Sequence, residues 1–146
     1  MRFLWLALAF VFAAHTAAAA EVTVEMLNRD KTTNVLNVFK PGLIKVNKGD
    51  TVKWVATNPG HNVAFVENGV PAGVPLFSSP IQKEITYKFE KPGIYVYKCT
   101  PHFGMGMVGL VVVGGDKSNL AAAKAAYVPP LAKRRLAPLF AELEKP

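Results

Sequence analysis

Gly93-Ile94-Tyr95-Val96-Tyr97-Lys98-Cys99-Thr100-Pro101-His102-Phe103-Gly104-Met105-Gly106-Met107-Val108-Gly109 holds the one cysteine of this chain of 146 residues. An aromatic and β-branched run leads into Cys99. A second apolar run, 107–113, follows Met107, so both ends read as strands joined by a short loop. Within nine residues the loop offers a thiolate, an imidazole and a thioether in the order Cys-x2-His-x4-Met.

Similar strands precede it. Runs rich in Val, Ile and aromatics fall at 22–27, 35–39, 43–46, 51–56, 62–66 and 84–89, giving eight strands with 93–99 and 107–113. Between them stand Pro41-Gly42, Lys48-Gly49-Asp50, Asn58-Pro59-Gly60, Asn68-Gly69 and Lys91-Pro92-Gly93, all with turn chemistry. Ile85, Tyr87 and Phe89 alternate with Glu84, Thr86 and Lys88; Val52, Trp54 and Ala56 share a face of 51–56. Trp54, Tyr87, Tyr95 and Tyr97 are read as core aromatics. Residues 67–80, rich in proline and glycine, read as a long loop. The pattern predicts a mainly β fold, a two-sheet sandwich over 21–115. The tail, 116–146, reads as helix and is expected to pack on the same domain. Ser118 is placed to cap an alanine-rich helix at 119–126. Pro129-Pro130 starts a second helix, with Leu131, Leu136, Leu139, Phe140 and Leu143 on its apolar face. Pro138 is expected to kink or split that helix.

Residues 1–20 read as a cleaved leader: Arg2, an uncharged apolar run at 3–14, then small residues to Ala20. Cleavage is expected after Ala20 or one residue earlier. The run is short of the roughly 20 apolar residues of a membrane span, so export is favoured over an anchor and no stable membrane insertion is expected. Removing 1–20 takes away Arg2 and His15, leaves sixteen basic against ten acidic residues, and lowers the net charge from +7 to +6. The mature chain keeps two histidines, His61 and His102. A lone cysteine in an exported chain makes no internal disulfide and is a free thiol, an intermolecular partner or a metal ligand. The positive charge suits an acidic partner reached by steering. The lysines are scattered through strands rather than gathered on a helix, so nucleic acid is not expected as a partner.

Adding His61, in Asn58-Pro59-Gly60-His61-Asn62, completes a set of one thiolate, two imidazoles and a weak thioether. Those donors suit a copper ion cycling between Cu(I) and Cu(II). The metal ligands are read as His61, Cys99, His102 and a methionine. Spacing permits Met105 or Met107; Met107 is favoured because it opens an apolar strand, whereas Met105 sits between two glycines. Zinc is disfavoured, since methionine is a poor zinc ligand. A Cys-His nucleophile lacks an orienting residue. No open coordination position remains for a metal-bound water, which argues against an enzyme. A copper-storage or copper-delivery protein is the main alternative, with exposed, exchangeable ligands expected of it. Asn62, Thr100 and Pro101 form the expected shell around the ligands. The Asn62 amide is placed to reach the Cys99 sulfur, and its side chain to tie the two ligand loops together. Pro101 has no N–H to donate, which leaves charge on sulfur and lowers the reduction potential.

These residues resemble the cupredoxins, the type 1 blue copper proteins, and within them most nearly the pseudoazurin branch. The resemblance rests on 93–109 with its Gly-Met-Gly-Met, on Gly60-His61-Asn62-Val63, and on the two-helix tail, and it covers nearly all of 21–146. It implies an eight-stranded Greek-key β-sandwich holding one copper ion through His61, Cys99, His102 and Met107. It implies a monomeric periplasmic electron carrier without turnover of its own, exchanging electrons with copper nitrite reductase, c-type cytochromes or other redox proteins. Electrons would leave through the edge of His102, inside an apolar patch of Pro59, Pro101, Phe103 and Met105, with Lys98 in a surrounding ring of lysines. The chain departs from the pattern at Pro59 and at Ser78-Ser79, where relatives often carry lysine.

Overall fold

The computed structural model describes residues 18–145; the expected leader lies outside them except for 18–20. Eight strands form: β1 Glu21–Arg29, β2 Leu36–Lys40, β3 Leu43–Val46, β4 Thr51–Val55, β5 Ala64–Phe65, β6 Ile85–Lys88, β7 Gly93–Lys98 and β8 Val108–Val113. Two helices follow, α1 Leu120–Ala125 and α2 Pro130–Glu144.

The strands make two four-stranded sheets, ordered β2-β1-β4-β6 and β3-β8-β7-β5. Each contains one parallel pair, β1 with β4 and β3 with β8. Between the sheets lies an apolar core built on Val24, Met26, Phe39, Trp54, Phe89, Tyr95, Tyr97 and Val111. Aromatic edges meet faces through it: Phe39 and Tyr97 at 4.7 Å between ring centroids, Trp54 and Tyr97 at 5.3 Å. Residues at odd and even positions of β7 and β8 point to opposite faces. The second face, with Ile94, Val96, Val108, Leu110 and Val112, is covered by Ala123, Ala132, Leu136, Phe140 and Leu143 of the helices. That is why these two strands are apolar throughout, whereas β6, which has one solvated face, alternates.

Two expectations for the tail are corrected, the Ser118 cap and a split at Pro138. Ser118 does not cap the first helix, which starts at Leu120 with Asn119 at its N-cap and no side-chain cap bond. The Asn119 side chain faces β7 instead. Its Oδ1 accepts from the Ile94 amide at 2.8 Å and its Nδ2 donates to the Ile94 carbonyl at 2.8 Å. Pairing a buried strand takes precedence over the cap, because an unpaired amide in the core costs more than one at a solvated helix end. Pro138 does not split the second helix, which runs unbroken from Pro130 to Glu144. Pro138 and Arg134, whose carbonyl loses its partner, both lie on the exposed side of the helix, which is open to solvent. An interior proline costs about 3 kcal/mol. Burial of Leu136, Phe140 and Leu143 contributes about 1.5–3 kcal/mol each, and so outweighs it.

The core carries one tight spot. Gly109 sits opposite Tyr97 in the β7–β8 ladder, and a Cβ there would lie 2.4 Å from the Tyr97 hydroxyl and ring. Among the described residues the Tyr97 hydroxyl and Trp54 Nε1, both buried, meet no hydrogen-bond criterion. Gly109→Ala is therefore expected to destabilise the fold by about 1–3 kcal/mol through overpacking. Tyr97→Phe, which deletes the struck hydroxyl, should restore part of that loss. Thermal unfolding of the single and double variants checks both; an unshifted midpoint for Gly109→Ala would show that the ring swings clear.

Candidate metal centre

The fold brings three of the predicted ligands to one end of the sandwich. Cys99 lies just past β7, His102 in the loop that follows it, and His61 in the segment before β5. His61 Nδ1 and His102 Nδ1 are 3.0 Å apart. Cys99 Sγ is 3.7 Å from His61 Nδ1 and 3.5 Å from His102 Nδ1. Among the described residues this is the one group of three or more His, Cys, Asp or Glu side chains placed to hold a metal. Donors lying about 2.0 Å (nitrogen) and 2.3 Å (sulfur) from a shared ion stand roughly 3.0–3.7 Å apart in near-tetrahedral order. The triangle fits one ion of that kind, and its soft sulfur suits copper.

The loop is closed at its base. The Cys99 amide donates to the Met107 carbonyl at 3.0 Å, which extends the β7–β8 ladder by a rung. Inside the loop the His102 carbonyl accepts from the Met105 and Met107 amides at 3.0 and 3.1 Å. The two methionines are thereby separated. Met107 is fully buried in the core beside Cys99, while Met105 is 49% exposed and its sulfur takes the Asn37 side-chain amide at 3.7 Å.

His61 is fully buried. Its Nε2 lies 2.8 Å from Asn28 Oδ1. An amide oxygen only accepts, so Nε2 carries the proton and Nδ1 turns its lone pair to the site. Burial, then the neighbouring His102, holds the His61 pKa below its ordinary value, which keeps the imidazole neutral and able to ligate. Burial pushes the Cys99 thiol up, opposed by the Asn62 and His102 amides, which favour the thiolate. A bound cation reverses that burial effect, since a coordinating thiol is deprotonated.

Asn62 ties the ligand segments together. Its Oδ1 accepts from the Thr100 amide at 2.7 Å, and its Nδ2 donates to Thr100 Oγ1 and to the Ser79 carbonyl, both at 3.2 Å. Ser79 is buried, and its hydroxyl accepts from the Val63 amide at 3.0 Å. The serine noted in the sequence as the absence of a lysine is a brace. The Gln82 amide adds a bond to the His61 carbonyl at 2.7 Å. Pro101 is exposed beside half-buried His102 and Phe103, Pro59 is exposed, and the Lys98 ammonium lies 4.5 Å from the Phe103 ring centre.

Asn28, and the bracing role of Ser79, escaped the sequence reading. Asn28 is an exposed residue near the end of an alternating strand, with no motif to mark it, and lies 33 positions from the histidine it orients. Asn28→Leu, of similar size, leaves Nε2–H without its acceptor and should weaken copper binding about 10–100-fold. Competition against a chelator measures this; unchanged affinity would show that Asn28 does not orient the ring.

Comparison with known proteins agrees with this geometry. Residues 19–114 match the family described as copper binding proteins, plastocyanin/azurin family. The pseudoazurin of Methylorubrum extorquens is 42% identical over 128 residues, covering 88% of this chain and 85% of that protein. The pseudoazurin of Paracoccus pantotrophus is 43% identical over 118 residues, covering 81% and 80%. The crystal structure of native pseudoazurin from Hyphomicrobium denitrificans superposes with a TM-score of 0.80 at 43% identity, covering 86% of this chain and 99% of that one. Sequence, fold and donor set together place the chain in the copper-binding plastocyanin/azurin family, the cupredoxins, electron carriers rather than enzymes, which hold a single copper.

Proposed function

We propose that this chain is an exported, periplasmic electron shuttle whose copper is held by His61, Cys99, His102 and Met107. The observation that carries the reading is the triangle of three donor atoms 3.0–3.7 Å apart at the pole of a rigid sandwich. Copper bound there supplies a one-electron couple between Cu(I) and Cu(II). The residues around it hold the ligands in place, so little rearrangement opposes transfer. Of the four side chains, only that of His102 reaches the surface; His61, Cys99 and Met107 are fully buried. Enclosed ligands suit a carrier of electrons better than a carrier of ions.

The His102 edge is the exit, and Pro59, Pro101, Phe103 and Met105 are the apolar surface on which a partner docks. Lys98 steers an acidic partner to it. Copper nitrite reductase and c-type cytochromes are the proposed partners, met transiently by a monomer. The leader is removed near Ala20, leaving the sandwich of 21–115 with its helical extension, 116–146, as one domain. A mature chain starting at Ala20 keeps that residue's bonds to Asp50 Oδ1 and from the Thr51 amide, 2.8 and 2.9 Å, and sets its α-ammonium on a carboxylate. Among the described residues no helix is long and apolar enough to cross a membrane.

The test is the visible and EPR spectrum of the mature chain loaded with Cu(II). An intense blue thiolate band with a small copper hyperfine splitting, bleached by ascorbate and restored by oxidant, is expected. A pale tetragonal spectrum would sink the electron-transfer reading. Lys98→Ala should slow electron exchange with an acidic redox protein by about fivefold at most, the worth of one charge pair in water. The gap should close as salt shortens the screening length below about 10 Å. Stopped-flow rates across ionic strength check this; equal slowing at high salt would rule out steering.

A further inference from the structure

One guanidinium of α2 reaches across to the ligand loop. Arg135 Nη1 donates to the Asn37 carbonyl at 2.8 Å and to the Gly106 carbonyl at 3.0 Å, and Nη2 donates to the Leu36 carbonyl at 2.9 Å. Among the described residues it has no carboxylate partner. Its partly buried charge is thus spent on three backbone oxygens, two at the start of β2 and one in the loop. The stem lies on the loop as well. Gly106 has φ +80°, and a Cβ there would come within 3.0 Å of Arg135 Cδ and 2.9 Å of Leu131 Cγ.

The carbonyl that Arg135 holds belongs to the Gly106–Met107 peptide. The N–H of that same rigid plane donates to the His102 carbonyl at 3.1 Å. Both ends of the plane are fixed, one by a ligand residue and the other by α2. The next carbonyl, that of Met107, takes the Cys99 amide. Among the described residues Arg135 and Asn62 are the side chains that grip the loop's backbone from outside it, Asn62 at Thr100 and Arg135 at Gly106. Docking of α2 does not need the guanidinium, since Ala132, Leu136, Phe140 and Leu143 bury the helix on the sheet.

We propose that Arg135 is a positioning residue for Met107: by joining the Leu36, Asn37 and Gly106 carbonyls it fixes the Gly106–Met107 peptide and so sets how the thioether meets the copper. The part concerning copper rests on the proposed reading of Met107 as a ligand; the fixing of the peptide does not. The C-terminal helix is then a component of the redox site as well as a cover for the sheet.

Arg135→Met keeps a stem and removes every donor; Arg135→Lys keeps the charge with a shorter reach. Lys124→Met, which breaks the Lys124–Glu144 pair between the helices at 2.7 Å, serves as control. Two quantities are read in the full mature chain: amide exchange of Met107 relative to Val111, in the reduced copper form and again without metal, and the relative intensity of the thiolate bands of the Cu(II) form. Arg135→Met should speed Met107 exchange about tenfold relative to Val111, the lower end for a hydrogen bond to a charged group, and should shift the band ratio. Arg135→Lys should show smaller changes of the same kind, and Lys124→Met neither. Parental exchange and band ratio in Arg135→Met, or equal changes in Lys124→Met, would overturn the proposal. If Arg135→Met does not fold, Arg135→Lys against the control decides by the same two readouts. If the parent itself shows no blue band, the ligand reading fails, and metal-free exchange still decides whether Arg135 fixes the peptide.

Discussion

The hydrogen bond from the Cys99 amide to the Met107 carbonyl is the constraint on which the site depends. It adds a rung to the β7–β8 ladder and thereby closes the ligand loop at its base. The ladder itself cannot slide. Both faces of β7 and β8 are buried, one against the opposite sheet and the other under the helices. A slip of one residue would exchange the two faces of a strand and present every side chain to the wrong layer. A register that serves the core therefore also fixes where Cys99 and Met107 stand.

Onto that base the second histidine is brought from a distant part of the chain, and its orientation is set by neutral groups. Asn28 fixes the tautomer of His61, the Gln82 amide holds its carbonyl, and Asn62 binds the neighbouring segment to Thr100. Burial works in opposite senses on the two kinds of ligand. It favours the neutral imidazole, which is the ligating form, and the neutral thiol, which is not. Three electron-pair donors facing one another at such distances are best satisfied by a cation among them, and metal binding is accordingly linked to loss of the thiol proton. The amides of Asn62 and His102 lean the same way.

The helices belong to this arrangement rather than being appended to it. The outer face of β7 and β8 is as apolar as the inner one and needs a cover. α1 and α2 supply it, and Asn119 pairs with β7 on the way. Once α2 lies along β8, Leu131 and Arg135 arrive at Gly106, a position that only a residue without a side chain fills at φ +80°. Packing of the tail and geometry of the loop are thus coupled through one glycine.

Much of this was legible in the chain itself. Alternation in 84–89 and the apolar runs at 93–99 and 107–113 announced strands, because period two and continuous burial leave their mark on residue type. Cys99, His102 and Met107 could be read together because one short loop carries them, and His61 because residues 21–146 hold no other histidine besides His102. Met107 is buried and Met105 exposed; the reading of Met107 as the fourth ligand rests on the strand that it opens. The tail was less transparent. The Ser118 cap and the split at Pro138 were judged by local propensity, and tertiary contacts overrode both, through the claim of β7 on Asn119 and the buried face of α2. The roles of Asn28, Ser79 and Arg135 left no trace, since each acts through a hydrogen bond to a residue far away in sequence. The sequence by itself determined which atoms are available to bind a metal and which strands frame them, because chemistry and periodicity are local properties. Only the tertiary structure decided how those atoms are aimed, because the groups that aim them meet the ligands only when the two sheets and the last helix close together.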